Sequence, residues 1–401
     1  MGMNDTPVSN RLHIGFFGRR NAGKSSVVNA VVNQELSVVS EIEGTTTDPV
    51  TKSMELLPIG PVLIIDTPGY DDEGRLGELR VKKTKQVLNK TDVAILVVDA
   101  TKQMDSADRE LIEIFKSKHI NYLIVYNKSD LIDVKTMRLL SSEPGSLLVS
   151  AKDKKNIEQL KEQIALAAGD YKEQRTLTGD LVSSEEIILL VVPIDKSAPK
   201  GRLILPQQQV IRDLLDNNAI PVICKENEIE AAMSKLSVKP KMVITDSQVF
   251  DVVAQKIPDD IYLTSFSILM ARYKGFLNSA VQGAVCIDSL EDGDTVLISE
   301  GCTHHRQCED IGTVKIPKWL GEYTGKNLDF KFTQGGDFPE DLSGIKLVIH
   351  CGGCMLGERE VMYRMKCAED FGIPFTNYGT VIAHTKGILF RSLAVFSGKY
   401  D

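Results

Sequence analysis

The chain has no apolar run long enough to cross a membrane. Its longest apolar stretches, 93–98 and 187–192, have the length of strands, whereas a membrane-spanning helix needs about 20 apolar residues. The N-terminal residues are polar and carry no basic segment ahead of an apolar one, so no export signal is expected. We therefore expect a cytoplasmic protein that does not bind a membrane.

The sequence also lacks a surplus of positive charge. It has 47 Lys and Arg residues against 55 Asp and Glu residues, which gives a net charge of −8. This balance argues against a broad nucleic-acid-binding face, so no nucleic-acid partner is expected. The seven cysteines are an odd number in a chain of 401 residues, a pattern that favours free thiols or a metal site over a disulfide framework.

The length predicts two or three domains. The first block alternates strand-like apolar runs with helical patterns, which predicts parallel strands joined by right-handed crossovers. A polar stretch follows this block and predicts a linker. The predicted units are residues 1–170, a linker at 171–180, a middle domain at 181–265 and a third domain at 266–401.

Residues 18–25 match the phosphate-binding pattern G-x-x-x-x-G-K-S between a predicted strand and a predicted helix. In this pattern Lys24 places a positive charge between the β- and γ-phosphates, and Ser25 offers its hydroxyl to Mg²⁺. The candidate nucleotide ligands of this loop are Gly18, Asn21, Ala22, Gly23, Lys24, Ser25 and Ser26.

Further segments after predicted strands indicate that the nucleotide is GTP or GDP. Asp66 can hold Mg²⁺ through water and Gly69 can offer an N–H to the γ-phosphate, so with Lys24 they are the candidate catalytic residues. Asp130 can accept both N1–H and N2–H of guanine, a donor pair that adenine lacks. The guanine-side candidates are Asn127, Lys128, Asp130, Ser150, Ala151 and Lys152.

These motifs together predict an α/β chain with an N-terminal P-loop GTPase domain, followed by two smaller α/β domains with largely parallel sheets. The motif set resembles that of GTPases acting in tRNA modification and ribosome assembly. In that family the asparagine at the position of Asn21 binds K⁺ beside the phosphates, and alignment of the threonine-rich switch implies Thr46 as a Mg²⁺ ligand. The residue after Gly69 is Tyr70 and not glutamine, so a side chain that orients water is missing at its usual place, and slow hydrolysis, accelerated by potassium, is expected.

A second constellation consists of Cys302, His304, His350, Cys351 and Cys354. Both groups follow predicted buried strands, 294–299 and 345–349, and open α/β sheets place their ligands beyond such strand ends. Three thiolates with an undefined fourth ligand fit an iron–sulfur cluster with one labile iron, and a zinc site remains an alternative.

The order of these residues behind a GTPase block resembles the iron–iron (FeFe) hydrogenase maturation GTPases over essentially the whole chain. The resemblance implies a homodimer formed by the middle domain and a 4Fe–4S cluster on Cys302, Cys351 and Cys354. It leaves His304 and His350 as further possible ligands. Members of that family are scaffolds that receive a transient diiron precursor with CO and cyanide ligands from radical-SAM maturases and deliver it to apo FeFe-hydrogenase.

An RNA- or ribosome-associated GTPase with a zinc-binding docking domain is the alternative. The blocks after the GTPase motifs lack the basic, aromatic-interleaved pattern of an RNA reader. The sequence leaves open the fourth cluster ligand, the oligomer beyond a dimer, and the use of GTP in cofactor transfer.

Overall fold

A computed structural model describes residues 9, 11–32, 49–70, 84, 86–102, 104–169, 176–194, 203–301, 310–339 and 341–397. The chain divides into two compact units, Met1–Glu173 and Gln174–Asp401. Among the described residues, no helix has the length and apolar character needed to cross a membrane. Three residues predicted from sequence to bind metal, Thr46, Cys302 and His304, lie outside the described residues.

Unit 1 contains a six-stranded sheet in the order β2-β3-β1-β4-β5-β6. Its strands are β1 (Leu12–Phe17), β2 (Val50–Leu56), β3 (Gly60–Asp66), β4 (Val93–Asp99), β5 (Asn121–Asn127) and β6 (Ser146–Leu148). Its helices are α1 (Lys24–Val32), α2 (Ser106–Ser117), α3 (Val134–Ser141) and α4 (Ile157–Ala168).

The central strands of this sheet are apolar on both faces. Every residue of β1 and of β4 is buried, as expected for parallel strands covered on both sides, and separate hydrophobic clusters contain alternate residues of these strands. Because β1, β3, β4 and β5 are parallel, their carboxyl ends meet at one edge of the sheet. The strands predicted in this block are parallel as expected, and a further strand that was not predicted, β2, pairs antiparallel with β3.

Unit 2 contains two four-stranded sheets, ordered β10-β9-β7-β8 and β12-β11-β13-β14. All their strand pairs are parallel. The strands are β7 (Ile187–Val191), β8 (Ile220–Cys224), β9 (Met242–Thr245), β10 (Tyr262–Ser265), β11 (Thr295–Glu300), β12 (Asp329–Gln334), β13 (Ile345–His350) and β14 (Phe375–Asn377). The helices are α5 (Leu205–Asp216), α6 (Ile229–Lys235), α7 (Phe250–Lys256), α8 (Phe266–Tyr273), α9 (Leu277–Val285), α10 (Ile316–Thr324), α11 (Glu358–Asp370), α12 (Tyr378–Thr385) and α13 (Leu389–Leu393).

The two sheets of unit 2 share a hydrophobic core. One cluster of buried side chains extends from Leu177 to Phe396 and includes residues of both sheets. The described part of the predicted linker, residues 176–180, belongs to this unit rather than to a solvated connection. Thr178 is fully buried and its backbone N–H donates to Asp213 at 2.7 Å. The predicted α/β fold class, with largely parallel sheets after the first block, is confirmed.

Candidate functional site

The phosphate loop follows β1 and is packed too tightly for side chains at two of its glycines. Gly18 has a φ of +135°, and a Cβ there would lie 2.3 Å from the carbonyl oxygen of Val97. Gly23 has a φ of +88°, and its Cβ would lie 2.3 Å from Nδ2 of Asn127. Both positions need glycine on steric and conformational grounds.

Lys24 is held on the inner side of this loop. Its Nζ donates to the carbonyl oxygens of Gly18 at 3.0 Å and of Arg19 at 2.9 Å, and the residue is buried. The positive charge is therefore fixed among the backbone groups that are predicted to surround the phosphates.

Ser25 and Asp66 form a pair that fits Mg²⁺. The Ser25 hydroxyl donates to Oδ2 of Asp66 at 2.5 Å, while the buried Oδ1 of Asp66 finds no hydrogen-bond partner among the described residues. Burial raises the pKa of Asp66, against the opposing effects of the Ser25 hydrogen bond and the Lys24 charge. An unsatisfied carboxylate oxygen beside a hydroxyl is a suitable donor set for a hard divalent cation.

Asn127 connects three segments predicted to contact the nucleotide. Its Nδ2 donates to the carbonyl oxygen of Ala22 at 3.2 Å, and its Oδ1 accepts from the backbone N–H of Ala151 at 3.1 Å. The neighbouring Lys128 donates from Nζ to the carbonyl oxygen of Asn21 at 2.9 Å. The guanine-side motifs and the phosphate loop thus form one hydrogen-bonded assembly.

Asp130 is exposed and available to a base. Its Oδ1 accepts a 2.7 Å hydrogen bond from the Ser150 hydroxyl, and this bond holds the pKa of the Asp130 carboxyl below its ordinary value. An ionised carboxylate is the acceptor that guanine N1–H and N2–H require.

Tyr70, the residue after Gly69, is bonded to α2. Its hydroxyl donates to Oε1 of Glu110 at 2.8 Å, and its side chain is buried. Arg19 is likewise engaged within unit 1, since its guanidinium lies 2.6 Å from Asp105 and 3.1 Å from Asp108. Both side chains are thus bonded to acidic residues at the start of α2 or within it.

The second candidate site lies at the carboxyl ends of β11 and β13, which are adjacent and parallel. Ser299 pairs with His350 in the strand register, and Cys351 donates its N–H to the Ser299 carbonyl oxygen at 2.9 Å. The N–H of Gly301, the residue before Cys302, donates to Sγ of Cys351 at 3.1 Å. The chain leading into Cys302 is therefore in direct contact with the Cys351 sulfur.

The described cysteines of this site are half-buried thiols with polar neighbours. Burial raises the pKa of both, for Cys354 to about 11. For Cys351 the N–H groups of Gly301 and Gly353 oppose the effect of burial, the latter donating at 3.4 Å. Sulfurs that accept backbone N–H bonds fit the thiolate ligands of an iron–sulfur cluster. The described residues alone contain no group of three or more metal-ligating side chains, and Cys302 lies outside them.

His350 is fully buried and both its ring nitrogens are occupied. Nδ1 lies 2.7 Å from the Cys351 carbonyl oxygen, and Nε2 lies 3.2 Å from Nη1 of Arg364. Burial, with a smaller effect of the Arg364 charge, lowers the pKa of His350 to about 3. The ring is therefore neutral at pH 7, donating from Nδ1 and accepting at Nε2, and iron ligation would require the loss of one of these bonds.

Two buried cations near the cysteines were not predicted from sequence. Lys274, at the end of α8, is only 2% exposed and donates to the carbonyl oxygens of Gly353, at 2.7 Å, and Leu356. Arg364 on α11 pairs with Glu360 at 2.9 Å. A lysine after a helix and an Arg–Glu pair four residues apart are typical of exposed helix surfaces, so no local pattern indicated their burial.

Three family models match the chain. The Hydrogen maturase F tetramerization domain matches residues 278–395, the Hydrogen maturase F dimerization domain matches residues 177–275, and the 50S ribosome-binding GTPase family matches residues 13–128. The two hydrogen maturase models together cover more than half of the chain.

Curated relatives are similar to part of the chain. The tRNA modification GTPase MnmE of Natranaerobius thermophilus is 28% identical over 176 residues, which cover 43% of this chain and 36% of that protein. The MnmE of Thermoanaerobacter pseudethanolicus is 34% identical over 157 residues, covering 38% and 34% respectively. The chain thus spans about a third of the length of these relatives.

Solved structures show only distant similarity. A variant of Era from Aquifex aeolicus bound to GDP.AlF4⁻ is 16% identical with a TM-score of 0.33, covering 81% of this chain and 94% of that one. The G domain of the T. maritima FeoB iron transporter is 21% identical with a TM-score of 0.31, covering 40% and 99%. Similarities at this level carry no functional argument.

Proposed function

The chain belongs to the hydrogen maturase F family, and from this premise we propose that it is a GTP-hydrolysing scaffold that carries a metal cofactor to an FeFe-hydrogenase. The chain has a GTPase domain, which binds GTP or GDP with Mg²⁺, and it has domains for self-association. The carrier role rests above all on the contact between Gly301 N–H and Cys351 Sγ.

The proposed cluster site uses three thiolates from two loops. Cys351 and Cys354 come from the loop after β13, and Cys302 follows the Gly301 N–H that donates to the Cys351 sulfur. A 4Fe–4S cluster held by three cysteines would supply one iron with an exchangeable ligand. His304 is a candidate for that position, whereas His350 is better placed to fix the Cys351 carbonyl.

The cargo proposed for this site is a diiron precursor carrying CO and cyanide. It would be received from radical-SAM maturases and passed to the apo-hydrogenase. The middle domain is proposed to form a homodimer. The matches to a dimerization domain and a tetramerization domain support self-association. The proposal of maturase and hydrogenase partners rests on membership of the family.

The proposed GTP hydrolysis is slow and stimulated by K⁺. The buried Tyr70 side chain leaves the position after Gly69 without a group that orients water. A cation beside the phosphates can replace such catalytic help by neutralising negative charge on the transferring phosphoryl group. Asn21 has an exposed side chain and a left-handed backbone with φ of 61° in the phosphate loop, where it can hold that cation.

Anaerobic reconstitution with ferrous iron and sulfide tests the carrier role. We expect a brown protein with a broad absorbance band that dithionite bleaches, and we expect Cys351→Ser and Cys354→Ser to lose it. Cys286→Ser is the matched control, because Cys286 lies in a different segment of unit 2. A colourless protein that binds zinc at the same cysteines would contradict this proposal and favour a zinc-docked GTPase acting on RNA or the ribosome.

A further inference from the structure

Lys274 holds the loop that carries Cys354. Its ammonium donates to the carbonyl oxygens of Gly353 and Leu356, which lie on either side of the cysteine in sequence. The same loop closes on itself through the Leu356 N–H, which donates to the Gly353 carbonyl at 3.0 Å. Lys274 thus fixes a short turn whose two middle residues are Cys354 and the exposed Met355.

The ammonium is buried without a carboxylate partner. Among the described residues no Asp or Glu forms an ion pair with Lys274, and the groups whose negative charge, when they are ionised, would stabilise the ammonium are Cys354, Cys351 and then Glu358. Burying a cation is costly unless negative charge or several hydrogen-bond acceptors face it. Two carbonyl acceptors meet part of this requirement, and thiolates at Cys351 and Cys354 would meet the rest.

Arg364 provides an internal comparison. It is also buried beside the loop, but Glu360 on its own helix lies 2.9 Å from its guanidinium and neutralises it. Its remaining hydrogen bonds go to Ser299, His350 and the Gly335 carbonyl, and its guanidinium lies over the Phe338 ring. Of these two cations, only Lys274 donates to the cysteine loop without also forming an ion pair with a carboxylate.

We propose that Lys274 is a positioning residue that shapes the 353–356 turn and stabilises a negatively charged, thiolate-bound metal centre at Cys351 and Cys354. This inference deepens the proposed function and depends on it. A nearby fixed positive charge favours the more negative, reduced state of such a centre, so Lys274 should raise its reduction potential.

The test is a redox titration of the anaerobically reconstituted full chain, followed by absorbance and electron paramagnetic resonance. For Lys274→Gln, which keeps a hydrogen-bond donor but removes the charge, we expect the reduction equilibrium constant to fall at least tenfold. For a one-electron couple this is a shift of about 59 mV to more negative potential. Lys274→Arg, which keeps the charge, should leave the potential near that of the wild type.

Lys346→Gln is the matched control, since it removes an exposed positive charge from β13, the strand that leads to Cys351. Its potential should stay unchanged, because Lys346 forms no hydrogen bond or ion pair with the 353–356 turn among the described residues and its charge does not act on Lys274. Equal potentials in wild type and Lys274→Gln would overturn the inference while leaving the carrier role intact. A wild-type chain that takes up no cluster would instead overturn the proposed function.

Lys274→Gln could fail to fold before any metal is added, and Glu358→Gln then carries the test. Glu358 is exposed and its charge acts on Lys274, so its removal should shift the potential in the opposite, more positive direction. A Glu358→Gln variant with the wild-type potential would show that charge at this turn does not reach the metal centre, and the inference would fail.

Discussion

Asn127 carries no charge and is almost fully buried, yet it connects the parts of the nucleotide site. Only 3% of the residue is exposed. Its amide satisfies the Ala22 carbonyl on one side and the Ala151 N–H on the other, and it also fills the space that a side chain at Gly23 would need. Its role in this structure is therefore to hold two loops at a fixed distance.

Asn127→Ala should weaken GTP binding. The substitution leaves a buried carbonyl and an N–H without partners, which costs about 1–3 kcal/mol for each group, so we expect affinity to fall by tenfold or more. Titration calorimetry or a fluorescent GTP analogue measures this. Asn121→Ala, on the exposed start of the same strand, is the control and should bind as the wild type does. Equal binding by both variants would refute this role for Asn127.

Asn21→Ala should remove the response to potassium. If Asn21 holds K⁺ beside the phosphates, the variant will hydrolyse GTP at the same rate in KCl and in NaCl, whereas the wild type will be faster in KCl. Steady-state phosphate release in both salts measures the difference. Stimulation that persists in Asn21→Ala would exclude Asn21 as the potassium ligand.

Some residues of the two sites could be predicted from the sequence and others could not. The phosphate-loop and guanine-side residues could be found because their spacing is set by the nucleotide. Lys274 and Arg364 could not be found, because a cation within a helix or just after it gives the same local sequence pattern whether it faces solvent or a buried loop. Their burial follows from packing against β13 and its loop, which are distant from Lys274 in the chain.

At the scale of elements, the start of α2 combines a helix cap with an ion pair. Asp105 is the N-cap, and its side chain accepts from the N–H groups of Ala107 and Asp108, while the Asp108 carboxylate accepts from the backbone N–H of Asp105. The same Asp105 carboxylate pairs with Arg19 of the phosphate loop. The helix start is therefore one of the supports of the loop.

Asp105→Ala should lower the free energy of unfolding of unit 1 by about 1 kcal/mol, the usual cost of losing an N-cap. Asp105→Ser keeps a capping oxygen but loses the ion pair with Arg19, so it should recover most of this stability. Urea unfolding, followed for the unit 1 transition, measures both variants. If serine were as destabilising as alanine, the ion pair rather than the cap would be the important contact.

The strands that are buried along their whole length gave the clearest sequence signal. The apolar runs of β1 and β4 were recognised because every residue in them is buried. β2 and β12 were not, since they lie at sheet edges and mix charged with apolar residues. β14, which has only three residues, was not predicted either. Edge pairing depends on the neighbouring strand, which local sequence does not reveal.

At the scale of the whole molecule, the two candidate sites lie in different compact units, each with its own core. Lys24→Ala should abolish nucleotide turnover and leave the brown chromophore unchanged, because the hydrogen bonds of Lys24 go to its own phosphate loop. Cys354→Ser should lose the chromophore and keep nearly full GTP hydrolysis. Phosphate release and absorbance, measured on both variants, test this independence. Loss of GTPase activity in Cys354→Ser would mean that the sites are coupled.

The adjacency of β11 and β13 has a further consequence. A metal centre that joined the loops after these strands would tie together two stretches separated by a long intervening segment, closing that segment into a ring even in the denatured chain. Like any covalent cross-link, this would reduce the entropy gained on unfolding. The metal centre would then stabilise the fold of the domain, and removal of the iron would lower the free energy of unfolding as well as remove the bound cofactor.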